Sequence, residues 1–119
     1  MVIGKVISTM FLSRGVAHRE HLKTDSYAQH MALGEFYEEV IEQADCLAEV
    51  YQGMGKLIED IPYMDHDGAG NITTTLKKHL TLIQRYRAKC EVKEAALENV
   101  FDDIETLYFS TLYKLRFLK

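Results

Sequence analysis

From Ser26 to Ile58 the apolar residues fall into two heptad series, Leu33, Val40, Leu47, Met54 and Tyr37, Ala44, Tyr51, Ile58. Alternating steps of four and three residues place both series on one side of an α-helix, where they form a single seam. A seam that long has to be covered by other helices. The rest of the chain is suited to supply them. It holds one proline, Pro62, and no tryptophan, and Ala, Leu, Glu and Lys are plentiful. These are residues that favour helix.

Apolar residues at positions 3, 7, 10 and 17 recur at helical spacing, so a first helix is expected from about Val2 to Leu22. The same segment is too interrupted by polar residues for a signal peptide and too short for a membrane span. Lys23, Thr24, Asp25 and Ser26 form a polar break with good N-cap residues, and the second helix is expected from about Ser26 to Ile58. Glu59 to Asn71, with Pro62 and the run Asp65-His66-Asp67-Gly68-Ala69-Gly70-Asn71, reads as a connector. That run resembles a calcium loop, but it lacks a glutamate near Leu76, and Asn71 or Thr73 suits a helix cap. A third helix is expected over about Ile72 to Lys89 and a fourth over about Val92 to Phe117. Two helices, a longer loop and two more helices give one all-α domain over residues 1–119, an antiparallel four-helix bundle.

Charge narrows the function. The formal net charge is -4, which argues against general affinity for nucleic acid. Glu35, Glu38, Glu39, Glu42, Asp45 and Glu49 follow one another on the second helix with no Lys or Arg, while the third carries Lys77, Lys78, Arg85, Arg87 and Lys89. These read as solvated faces that attract each other or a neighbouring subunit. Cys46 and Cys90 belong to no Cys-x-x-Cys pair and are expected to be reduced, mostly buried thiols of a cytoplasmic protein.

His18, His30, Asp45 and Glu49 are left over, and they are residue types that iron binds. With a turn at Thr24, His18 and His30 are equidistant from it and are expected at one level of a hairpin. His21 and Tyr27 lie nearer the turn as a candidate outer layer. Asp45 and Glu49 are one helical turn apart and can share an ion. His30 and Asp45 cannot meet within one chain, because fifteen residues at about 1.5 Å each separate them by roughly 22 Å. Either the four are unrelated, or two chains pack second helix against second helix across a two-fold axis and make two equivalent sites. His66 and His79 read as bland, as does His21. Tyr27 and Tyr37 read as packing residues.

The pattern His18-x11-His30-x14-Asp45-x3-Glu49 resembles the ferroxidase signature of the Dps mini-ferritins (DNA-binding proteins from starved cells), and Asp45-Cys46-Leu47-Ala48-Glu49 resembles that family's Asp-x-x-Ala-Glu segment. The likeness covers the first two helices. It implies a ferritin-like bundle and an Fe(II)-oxidising site between two-fold related subunits. His18 and His30 would come from one subunit, Asp45 and Glu49 from the other, with iron storage in a shell, up to a dodecamer. The chain departs from the family at Arg19, where a tryptophan is usual, and at Val50, where an arginine is common. It also lacks the lysine-rich tail some members use on DNA. Its brevity suits a compact, phage-encoded relative. The competing expectation is a non-enzymatic helical module that binds a protein partner or a structural zinc.

Overall fold

The computed structural model describes every residue except Ala69, which falls in the connector run and lies outside the described residues. Among the described residues there are four helices: α1, Val2–Lys23; α2, Tyr27–Gly53; α3, Ile72–Lys89; and α4, Ala95–Phe117. There is no strand among the described residues. The fold is an all-α antiparallel four-helix bundle, and among the described residues no helix is long and apolar enough to cross a membrane.

Two boundaries differ from the sequence expectation. α2 ends at Gly53, not Ile58, because Gly55 adopts φ +103°, a left-handed turn that suits glycine, and the Gln52 side chain takes the Ile58 amide at 3.0 Å. The last seam members therefore leave the helix: Met54 is exposed, and Ile58 packs on the core from the connector. α4 starts at Ala95, not Val92, because Cys90 is buried and Val92 packs on the core in extended chain between the helices. At the other ends the capping chemistry is as expected. Ser26 accepts the Gln29 amide at 3.2 Å, and Asn71 accepts the Thr74 amide at 2.9 Å.

Side-chain contacts give the direction of each helix. Gly4 lets the connector pass directly over α1, since a Cβ there would lie 1.9 Å from the Asp60 carbonyl oxygen. Ser8 then donates to the Pro62 carbonyl, and Met64 Sδ lies 3.6 Å from Thr9 Oγ1. The strap thus runs up α1 from its start, and α3 begins near the other end and descends. Helices α1 and α2 pack together, as do α1 and α3, α2 and α4, and α3 and α4. Each of these four neighbouring pairs is antiparallel, and α2 and α3, like α1 and α4, stand on a diagonal. One long crossover joins the two hairpins, so α2 and α3 run in the same direction.

The seams fill the interior with Ile3, Ile7, Met10, Leu33, Phe36, Leu47, Leu76, Ile83, Leu97, Phe101 and Ile104, each at most 2% exposed. Mid-bundle the core turns polar. Tyr108 donates to Ser13 Oγ at 2.6 Å, and Ser13 donates its single proton to the Thr9 carbonyl at 3.0 Å. The 2.7 Å contact from His79 Nδ1 to Ser13 Oγ is then an N–H donation, so His79 is held as the Nδ1–H tautomer. Burial, and secondarily the nearby His66, lower the His79 pKa from 6.5 to about 4. Burial raises that of Tyr108, against the opposing hydrogen bond to Ser13. Between α3 and α4, Arg87 donates to Glu105 at 2.6 Å, Asp102 at 2.8 Å and Glu98 at 3.3 Å, with its guanidinium over the Phe101 ring. Burial opposes its charge, and the three carboxylates more than offset that.

His79 predicts an acid limb. Its folded pKa lies below its unfolded value, so the unfolded chain binds the extra proton. The stability this contributes is complete above about pH 6.5 and is lost as pH falls through about 4. The loss is bounded at about 3 kcal/mol. Between pH 6.5 and 5, where most carboxylates stay ionised, urea unfolding should show wild-type stability falling and His79→Gln stability nearly flat. Equal slopes in the two proteins would refute the assignment.

Candidate metal centre

The α1–α2 hairpin turns over Thr24, Asp25 and Ser26, and its last turns carry four half-buried rings. His21 stacks on His30 with centroids 3.8 Å apart and planes 16° from parallel. His18 stacks on Tyr37 at 4.1 Å and 11°. Tyr37 meets His21 edge-on at 5.3 Å, and the His18 and His21 centroids are 6.3 Å apart. His18 and His30 were expected opposite one another. The structure instead sets His30 across from His21 and His18 across from Tyr37. The turn is centred at Asp25 rather than Thr24, so His30, five residues beyond, stands opposite residues 20–21.

Two hydrogen bonds fix the inner pair. His21 Nδ1 lies 2.6 Å from the His30 carbonyl oxygen, and His30 Nδ1 lies 2.8 Å from that of His21. A carbonyl only accepts, so both rings carry hydrogen on Nδ1, and in each neutral ring Nε2 holds the lone pair. The His21 carbonyl is among the last four of α1, which have no acceptor role left inside their own helix. His30 therefore caps α1 from the neighbouring helix. Gly34 makes the space, since a Cβ there would lie 3.0 Å from His21 Cε1 and 3.2 Å from its Nδ1.

Asp45 and Glu49 are exposed on α2, one turn apart, and so is Cys46 between them, which was expected to be buried. Cys90 is buried as expected. α2 runs unbroken from His30 to Glu49, so the roughly 22 Å separation expected of a continuous helix applies. Among the described residues, no three His, Cys, Asp or Glu of one chain are grouped to hold a metal ion. The sequence-selected residues thus lie in two half-sites, imidazoles at the hairpin end and carboxylates farther down α2. The donor set suits iron, but not within a single chain. Near-parallel rings also keep the His21 and His30 lone pairs in near-parallel planes, so both cannot converge on one ion without ring rotation. His66 is exposed in the connector, and His79 belongs to the core network.

A model described as a family of unknown function (DUF5856) matches residues 21–115. The chain belongs to that family. The matched segment contains His21, His30, Asp45 and Glu49 and begins after His18. No curated protein and no solved structure matches the chain.

Sequence reasoning set His21 aside as bland. The signal that would have found it is positional: His21 and His30 flank Asp25 almost evenly, and Gly34 follows His30 by one turn. The test is the glycine. Gly34→Val should push the His21 ring off His30, lower stability by about 1–3 kcal/mol as an overpacked contact does, and shift the ring-proton resonances of both histidines. Unmoved resonances would show that the ring pair does not depend on this glycine.

Proposed function

We propose that the protein is a ferritin-like iron-binding protein whose Fe(II)-oxidising site forms between two copies of the chain. The observation that carries this reading is the division of donors along α2, with imidazoles at its start and exposed carboxylates Asp45 and Glu49 roughly 22 Å farther on. An antiparallel α2–α2 pairing across a two-fold axis brings each set to the other and makes two equivalent sites. The single-crossover connectivity and the Dps-like spacing support it.

In this reading His30 offers Nε2 to the iron. Its Nδ1–H rests on the His21 carbonyl, the kind of outer contact that orients ligating imidazoles. His18 supplies the second imidazole and is held flat against Tyr37. Asp45 and Glu49 of the second copy balance the charge of the ion and favour its ferric form. Iron is substrate here. The oxidant is oxygen or peroxide. Two Fe(II) ions give one electron each to a peroxide, whose O–O bond breaks and which takes two protons to complete two waters. With dioxygen, four Fe(II) ions give one electron each, and four protons complete two waters.

One observation favours a second reading, a helical interaction module with structural zinc or no metal. The His21–His30 pair satisfies two backbone carbonyls and closes the hairpin without any ion. Mass and metal content of the purified protein separate the two.

His30→Ala and Asp45→Ala should each slow Fe(II) oxidation at least tenfold with helicity retained. Mixed in equal amounts and reassembled, the two variants should recover about one quarter of the wild-type sites, because half of the pairs are mixed and each mixed pair holds one intact site. Recovery of nothing, with mixed pairs demonstrated by mass, would place the site within one chain. Unchanged oxidation in both single variants would remove the iron reading altogether.

A further inference from the structure

The outward faces of α2 and α3 are opposite in charge. α2 contains no Lys or Arg and exposes Glu35, Glu38, Glu39 and Glu42, while α3 contains no Asp or Glu and exposes Lys77, Lys78, Arg85 and Lys89. The two helices stand on the diagonal of the bundle. Their outer faces therefore point away from each other, and one copy neutralises them only in part, through Lys114 on Glu35 and Asp67 beside Lys78. Among the described residues, Glu38, Glu42, Arg85 and Lys89 have no ion-pair partner in the chain.

The spacings match as well as the signs. Glu38 and Glu42 are four residues apart, as are Arg85 and Lys89, which is about 6 Å along a helix. The acidic residues border a groove of about 360 Å³ between α2 and α4. A lysine already fits there, because Lys114 reaches Glu35 at 2.9 Å.

We infer that the acidic face of α2 in one copy docks on the basic face of α3 in a second copy, giving a heterologous, salt-sensitive self-association. Such a contact joins two different patches, so it closes into a ring or shell or continues as a chain of copies. It uses the same stripe of α2 as the two-fold pairing, because Glu38, Glu42, Asp45 and Glu49 follow at steps of four and three, so the two contacts are alternatives on that face. It does not rest on the iron reading. Exposed charges attract less as salt is added, since the screening length shortens from about 10 Å at 0.1 M to about 3 Å at 1 M.

Sedimentation velocity of the full chain tests this. In 20 mM NaCl the protein should sediment as species larger than a dimer of the 13.7 kDa chain, and in 500 mM NaCl it should fall to dimer or monomer. Glu38→Lys/Glu42→Lys and Arg85→Glu/Lys89→Glu should each prevent the low-salt assembly, and all four changes in one chain should restore it. Helicity is checked by circular dichroism, and Arg85→Gln/Lys89→Gln, milder near the end of α3, should weaken assembly in the same direction. The inference is overturned if wild-type mass does not change with salt or if the four-fold swap fails to reassemble. It is overturned equally if the low-salt species dissolves on nuclease treatment, which would assign the basic face to a polyanion.

Discussion

The paired exchange between His21 and His30 sets the register of everything on the α1–α2 hairpin. Each Nδ1–H satisfies the other residue's carbonyl, and one of those carbonyls is an open end of α1. Hydrogen bonds of this kind contribute about 1 kcal/mol each, and the stacked rings add about 0.5–1.5 kcal/mol by analogy with other aromatic pairs. The energy matters less than the geometry. A helix slipped by one residue turns its side chains through about 100°, so the exchange survives in one register only. That register delivers Tyr37 to the face of His18 and Gly34 to the edge of His21.

The second hairpin is placed by different means. The connector is a strap pinned to α1 at Gly4, Ser8 and Thr9, and it carries the chain back so that α3 can descend beside α1. The polar layer of Ser13, His79 and Tyr108 then ties three helices at one level. Every donor in that layer has an acceptor, which is why so polar a group can sit in an apolar interior. The Arg87 clamp does the corresponding work between α3 and α4, at their connected end. Apolar seams decide that four helices pack, and these polar contacts decide which neighbour and which level.

That division explains what was legible in the sequence. The seams read correctly because burial repeats every three or four residues, and Leu33, Val40 and Leu47 occupy the core as their spacing requires. The ends of α2 and α4 read less well. Gly55 and Cys90 act through backbone conformation and local burial, which carry no periodic signal. At the candidate site the separation of His30 from Asp45 was fixed by helix rise alone. The pairing of rings was not, because a shift of one residue in the turn centre exchanges His18 for His21. The Ser13–His79–Tyr108 layer joins residues 66 and 95 positions apart, and no local pattern announces it. Cys46 was misplaced because exposure on α2 depends on which flank α1 and α4 cover.

The same imidazoles are asked to do two things, and the two demands meet at different atoms. Structure uses Nδ1 and the ring face, through the carbonyl bonds and the stack. Metal chemistry would use Nε2, which those bonds leave with its lone pair. A ring held in this way is oriented before an ion arrives, so less ordering remains to oppose binding. The near-parallel stack limits the benefit, since two lone pairs in near-parallel planes do not meet at one point. His30 can therefore keep its carbonyl bond and act as a single ligand, while a full coordination shell needs donors from elsewhere. Within one chain the carboxylates stand too far along α2 to provide them. On the function proposed above, the hairpin that stabilises the monomer would therefore leave a complete site to the assembly.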